Sequence, residues 1–229
     1  MVFWMGIGVG ADVVSSDGLT YTVGQTVAVR EASVRVARGE VVAITGPSGS
    51  GKSTLLFLLA GVLSPDKGSV HLNGVDLGAV SDRARAGLRL RQCGFVMQFG
   101  DLIPELTLAE NVELPLRLTG VSARKARATA DGLLARLGLD GERNRTPSRV
   151  SGGQAQRAAI ARALVHQPSV VFADEPTGAL DSRSAAQSLS ALLDLARAGG
   201  SALILVTHAA EVAATADRVL TMRDGVLQA

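Results

Sequence analysis

Short apolar runs alternate with amphipathic stretches along this 229-residue chain. Glu40–Thr45 (EVVAIT), Val170–Ala173 (VVFA) and Ala202–Thr207 (ALILVT) are short runs of aliphatic, largely β-branched residues without polar alternation. Such runs read as strands buried on both faces, the condition of a parallel sheet covered by helices. Val27–Arg38 is also rich in β-branched residues and reads as a strand. Between the runs lie helical patterns. Lys52–Ala60 is ended by Gly61, and Pro65–Gly68 makes a turn before a short strand at Ser69–Leu72. Asn73-Gly74 marks a tight turn. Ser81 or Asp82 caps a helix running toward Arg91, and Ser122 caps another with Ala126, Ala130, Leu133, Leu134 and Leu137 on one face, ended by Gly138. Gly141–Arg149 is a polar loop. Gln154–His166 and Ser182–Ala198 are helical, and Arg218–Met222 leads into a turn at Arg223–Gly225. Strand and helix alternating in this way predict an α/β fold with a mostly parallel sheet. The middle, about Cys93–Gln156, is expected to be helix-only, inserted between two parts of that sheet.

Composition narrows the class. Hydrophobic residues make up 47% of the chain and charged residues 19%, which excludes disorder. A single cysteine, Cys93, excludes an internal disulfide framework and reads as a core residue. The formal charge of +2 and the arginines of 83–91, which have no interleaved aromatics, argue against nucleic acid as a partner. No apolar run reaches the roughly 18 residues of a membrane span. Met1–Ala11 is apolar but short and has no basic residue, which excludes a signal peptide; it is expected to be a mobile extension or an upstream start, with an interfacial anchor as the alternative. Glycine is abundant, with 26 residues, and its placement proves informative.

Three of those glycines stand in Gly46-Pro47-Ser48-Gly49-Ser50-Gly51-Lys52-Ser53-Thr54, between strand EVVAIT and the helix from Lys52. This is the G-x-x-x-x-G-K-[ST] pattern. Glycines let successive backbone N–H groups turn inward around phosphate, and the helix N-terminus adds its positive dipole. Lys52 is expected to reach the β- and γ-phosphates, Ser53 to hold Mg²⁺ and Thr54 to add a phosphate contact. Asp174-Glu175 ends the run VVFA, so its carboxylates fall at the C-terminal edge of a parallel sheet, where ligands bind. Asp174 is expected to hold Mg²⁺, and Glu175 to act as general base toward water. Ser151-Gly152-Gly153-Gln154 opens a helix and forms a second glycine-rich anion site, for which one nucleotide bound to one chain has no obvious use.

With the continuation Ala155-Gln156-Arg157-Ala158-Ala159-Ile160-Ala161-Arg162-Ala163-Leu164, this loop resembles the signature of the ATP-binding-cassette family, with Val150 in place of the usual leucine. The resemblance covers roughly 13–227. It implies a P-loop NTPase (RecA-like) core, an antiparallel β subdomain and an inserted helical subdomain, all in one nucleotide-binding domain. The core would take 12–92 and 157–229, and the helical part with the signature loop 93–156. It also implies ATP and Mg²⁺, and a head-to-tail dimer in which Ser151, Gly152, Gly153 and Gln154 close on the γ-phosphate held by a second copy. By resemblance, Gln98 ligates Mg²⁺ and senses a membrane partner, His208 contacts the γ-phosphate, and Asp181 communicates across the dimer while also fitting a helix N-cap. Tyr21 stands where the family stacks an aromatic on adenine; a core or edge-strand tyrosine is the alternative.

Ala173–Ser182 and Leu106–Leu116 (LTLAENVELPL) are similar to the lipoprotein-releasing, macrolide-exporting and antimicrobial-peptide-resistance cassettes. That implies a separate few-helix permease subunit docking near Phe99–Leu116, and a cytoplasmic chain held peripherally at the inner membrane face through it. The rival reading is a regulatory cassette that transmits force to an extracytoplasmic process such as cell-wall hydrolysis without transporting anything.

Overall fold

In the computed structural model, residues 12–98 and 101–228 are described. The expected extension, 1–11, lies outside them. The chain opens with strands β1 (Asp12–Val23), β2 (Thr26–Ala37) and β3 (Val41–Thr45), then helix α1 (Lys52–Leu59). Strands β4 (Lys67–Leu72) and β5 (Val75–Asp76), helix α2 (Asp82–Gln92) and strand β6 (Cys93–Val96) follow. The helices α3 (Leu108–Leu118), α4 (Ala123–Arg136) and α5 (Gly152–Leu164) lead to β7 (Val170–Asp174). The chain closes with α6 (Ser182–Gly199), β8 (Ala202–Val206), α7 (Ala210–Ala213), β9 (Arg218–Arg223) and β10 (Val226–Gln228).

The ten strands run in the order β5-β4-β1-β2-β10-β9-β3-β8-β7-β6. Strands β9, β3, β8, β7 and β6 are mutually parallel. Strands β5, β4, β1 and β2 form an antiparallel wing, joined through β10, which is parallel to β2 and antiparallel to β9. The apolar runs are explained by burial on both faces. Val42, Ile44, Phe172, Ile204 and Val206 face a cluster completed by Leu55, Leu56, Leu58 and Leu59 of α1. Their alternates Val41, Val171, Ala173, Leu203 and Leu205 face Ile160 of α5 and Leu192 of α6. Side chains alternate across a strand, so a strand covered on both sides has no polar positions to show.

A third cluster gathers Leu108, Val112, Ala126, Ala130, Leu134 and Ala161 from α3, α4 and α5, with Leu133 and Leu137 packed at its edge. Two expectations need correction. The segment from Cys93 is not helix-only, because β6 pairs with β7 from Cys93↔Val170 to Val96↔Ala173 and closes the parallel sheet. Four residues with Gly94 among them carry too weak a strand signal to compete with the helical context. Ser122 stands at the N-cap of α4 but makes no capping hydrogen bond; Ser81 does, accepting from the Ala84 N–H at 3.3 Å.

Candidate nucleotide site

Register assembles the site. Ile44 pairs with Val206, Val206 with Asp174, and Ala173 with Val96, so β3, β8, β7 and β6 all end at one edge of the sheet. The segments leaving those four ends carry Gly46–Thr54, Thr207-His208, Asp174-Glu175 and Gln98. Residues separated by more than a hundred positions are thereby brought to one face, at the carboxyl ends of parallel strands.

The loop from Gly46 wraps the start of α1 as its glycines require. Gly51 is the N-cap, at φ 100° and ψ 5°, and a Cβ there would fall 2.1 Å from the Ala28 carbonyl oxygen of β2. A Cβ on Gly46 would fall 2.0 Å from the Met222 carbonyl oxygen of β9. At Gly46 and Gly51 the loop is thus pressed against two strands with no room for a side chain. Pro47, Ser48 and Gly49 are exposed, whereas Ser50 is buried with its hydroxyl unpartnered. Lys52 is only 8% exposed, and its Nζ donates to the carbonyls of Gly46 and Pro47 at 2.9 and 2.8 Å. The ammonium braces the loop from within, beside the N-terminus of α1, whose backbone N–H groups and dipole suit an anion. Ser53 and Thr54 occupy the first turn and are half-buried.

At the end of β7, burial pushes the Asp174 carboxyl above the usual carboxylate range, opposed by a hydrogen bond from Ser53. Glu175 pushes it further up and Lys52 pulls it down. Asp174 Oδ1 is buried and has no hydrogen-bond partner. An orphaned carboxylate oxygen beside a serine hydroxyl fits a hard divalent cation. Among the described residues no cluster of three or more His, Cys, Asp or Glu side chains could hold a metal alone. A Mg²⁺ ion would need only one or two protein oxygens such as these, the rest coming from phosphate and water.

Glu175 adopts the left-handed conformation, with φ 46°. Its N–H donates to the Val206 carbonyl at 2.9 Å, and its Oε1 accepts from the His208 N–H at 3.1 Å. His208 Nδ1 lies 2.6 Å from the same oxygen. Glu175 is mostly covered and His208 mostly exposed, so the imidazole bridges the carboxylate to the open face. Gln98 reaches across as well, its Nε2 3.2 Å from where a Cβ on Gly178 would sit.

Three further predicted groups have local partners of their own. Ser151 and Gly152 are exposed, and Ser151 forms a capping box with Gln154: its Oγ accepts from the Gln154 N–H at 3.3 Å, and Gln154 Oε1 accepts from the Ser151 N–H at 2.9 Å. The atoms nearest a Cβ on Gly152 or Gly153 belong to Leu180 and Ser184, not to the loop around Lys52. Asp181 caps α6, accepting from the Ser184 N–H at 3.0 Å, and these contacts hold its carboxyl below the usual range. Tyr21 pairs with Val29 and packs half-buried against the main cluster.

The model of the ABC transporter family matches residues 29–178. The chain is 43% identical over 214 residues to a lipoprotein-releasing system ATP-binding protein LolD from Cereibacter sphaeroides, covering 91% of this chain and 96% of the relative. It is 42% identical over 199 residues to the ABC transporter ATP-binding protein YtrE of Bacillus subtilis, covering 87% and 86%. The fold matches a dimeric structure of the ATP-binding cassette MJ0796, in a post-hydrolysis state bound to ADP and Pi. The TM-score is 0.84 with 36% identity, over 93% of this chain and 95% of the other. The chain belongs to the ABC transporter family.

Two buried amides of this cassette escape a reading by motif roles. Asn111 on α3 is fully buried and accepts from the Ile103 N–H at 2.7 Å. Its Nδ2 faces the carbonyls of Ile103, Leu106 and Thr107 at 3.0–3.2 Å, pinning the segment that presents Ile103, Pro104 and Glu105 to solvent. Gln156 on α5 is 2% exposed and joins Met97 to Pro176. A polar residue in an otherwise apolar helix face was the available signal for both.

Proposed function

We propose that this chain is the ATP-binding and ATP-hydrolysing subunit of a lipoprotein-releasing type of ABC transporter, acting as a pair of copies on a separate membrane subunit. The observation that carries the reading is the common edge where Lys52, Ser53, Asp174, Glu175, His208 and Gln98 meet. ATP is the substrate. The N–H groups of 46–54 and the Lys52 ammonium take its phosphates, and Tyr21 offers a ring to the base. Ser53, Asp174 and Gln98 would hold Mg²⁺, which neutralises phosphate charge when bound. Glu175 polarises the attacking water, and His208 keeps its carboxylate oriented toward the open face.

The loop Ser151–Gln154 presents the N-terminus of α5, with Ser151 and Gly152 exposed, and a helix N-terminus favours an anion, so it serves the nucleotide of a second copy, with Asp181 on the next helix. The likeness to a dimeric cassette holding ADP and Pi supports that arrangement. ATP then favours the closed pair because both copies bind it there, which is the differential affinity a switch requires. The relatives named LolD favour lipoprotein release over force transmission without transport. Segment 101–116, fixed by Asn111, is the face for the membrane subunit, which would place the chain at the cytoplasmic side of the membrane.

Glu175→Gln tests the core of this reading. The variant is expected to bind ATP, form a stable ATP-dependent dimer in light scattering, and lose roughly 10²- to 10⁴-fold in turnover. Undiminished turnover would remove the assigned base, and ATP binding without dimerisation would remove the two-copy site. Copurification of a membrane subunit with the tagged chain checks the partner.

A further inference from the structure

Gln156 stands at the second turn of α5, behind the exposed Ser151–Gln154 loop, and is almost wholly buried. Its amide nitrogen donates one hydrogen to the Met97 carbonyl at 3.0 Å and the other to the Pro176 carbonyl at 2.7 Å. Met97 precedes Gln98, and Pro176 follows Glu175. One –NH₂ group thus ties the signature helix to the backbone at two of the segments that build the reacting face. Glu175 needs such support, because it holds a left-handed conformation and precedes a proline, which narrows its backbone choices further. Its own N–H is anchored to Val206 and its side chain to His208; the bond to Pro176 fixes the next peptide.

We propose that Gln156 is a positioning residue whose amide links the signature helix to the backbone beside Gln98 and Glu175, so that displacement of the Ser151–Gln154 loop reaches both. The inference rests on the ATPase reading above and adds the coupling element to it. A planar amide with both hydrogens committed transmits small movements, because a shift of about 1 Å takes a 2.7–3.0 Å hydrogen bond out of range. Donation to Pro176 also satisfies a buried carbonyl without water.

Two substitutions in the full chain test it. Gln156→Met keeps the length and removes both donors; Gln156→Asn keeps the donors but shortens their reach. Both are expected to leave ATP affinity of single copies within about twofold, since the loop around Lys52 is untouched, while kcat falls about tenfold to a hundredfold with little change in KM. Without nucleotide, amide exchange at Thr177 and Gly178 is expected to rise in both. Wild-type kcat and unchanged exchange in either variant would overturn the proposal. So would a parallel loss of ATP affinity and kcat, which marks simple loss of packing. A wild-type chain that binds ATP but never hydrolyses it would refute the ATPase reading instead, and the exchange at Thr177 and Gly178 would still decide the link.

Discussion

Gly51→Ala asks how much of the phosphate loop is dictated by its neighbours rather than by its ligand. Two costs are set by the structure. An alanine at φ 100° pays the left-handed penalty of about 1–2 kcal/mol. Its Cβ would also sit 2.1 Å from the Ala28 carbonyl oxygen, a backbone atom of β2 that moves only if the strand moves, at about 1–3 kcal/mol. The sum is about 2–5 kcal/mol, or roughly 4–20 °C in Tm for a domain of this size. Gly49→Ala is the control: its φ is also positive, at 78°, but nothing lies within 4 Å of the added methyl group. It should lose only the conformational part, about 1–2 kcal/mol. The assay is thermal unfolding of both variants without nucleotide, followed by nucleotide binding. Gly51→Ala should melt lower than Gly49→Ala by at least about 2 °C. Equal melting points would refute the claim that close approach of β2, rather than backbone conformation alone, demands glycine at 51.

Phe172→Ala, at a fully buried position in the central sheet that stacks on Phe95, should cost about 3–5 kcal/mol, read as a lowered denaturant midpoint. Asp181→Ala removes the N-cap of α6 and should lower the denaturant midpoint, with Asp181→Asn restoring most of it in the same measurement. Asn111→Ala leaves the carbonyls of Ile103, Leu106 and Thr107 without their donor; ATP binding should persist while stimulation by the membrane subunit is lost in a reconstituted ATPase assay. Burial pushes the Cys93 thiol up to about 12. Because the folded value lies above the unfolded one, the thiol's contribution to stability is intact below about pH 8.5 and fades as pH rises toward 12. At pH 8, labelling of Cys93 by a thiol reagent should therefore wait for unfolding, and fast labelling of the native chain would contradict the burial.

The parts of the site written in one stretch of chain were legible in the sequence. Gly46–Thr54 carries its own strand, turn and helix start, and Ser151–Gln154 carries its own capping box, because the forces that shape them act over a few residues. The apolar strands were legible for a related reason: two-sided burial removes polar residues from the run itself. By contrast, β6 was not, since Cys93–Val96 becomes a strand only by pairing with β7, which lies more than seventy residues further on. The opening strand β1 was likewise not legible, because it depends on pairing with β2 and β4; those two were legible in their own residues, and their antiparallel arrangement in the family resemblance.

Residue types and motif order set the chemistry this chain can perform: a phosphate-binding loop, a carboxylate pair and a second glycine loop. Tertiary structure decided which of those groups meet. Strand register put Gln98, Glu175 and His208 at the edge shared with Lys52, whereas Gly152 and Gly153 sit against Leu180 and Ser184 instead. It also gave Gln156 and Asn111 their partners, which their place on an apolar helix face could not name. A buried amide matters through the backbone carbonyls it finds, and those come from segments that only folding brings within 3 Å.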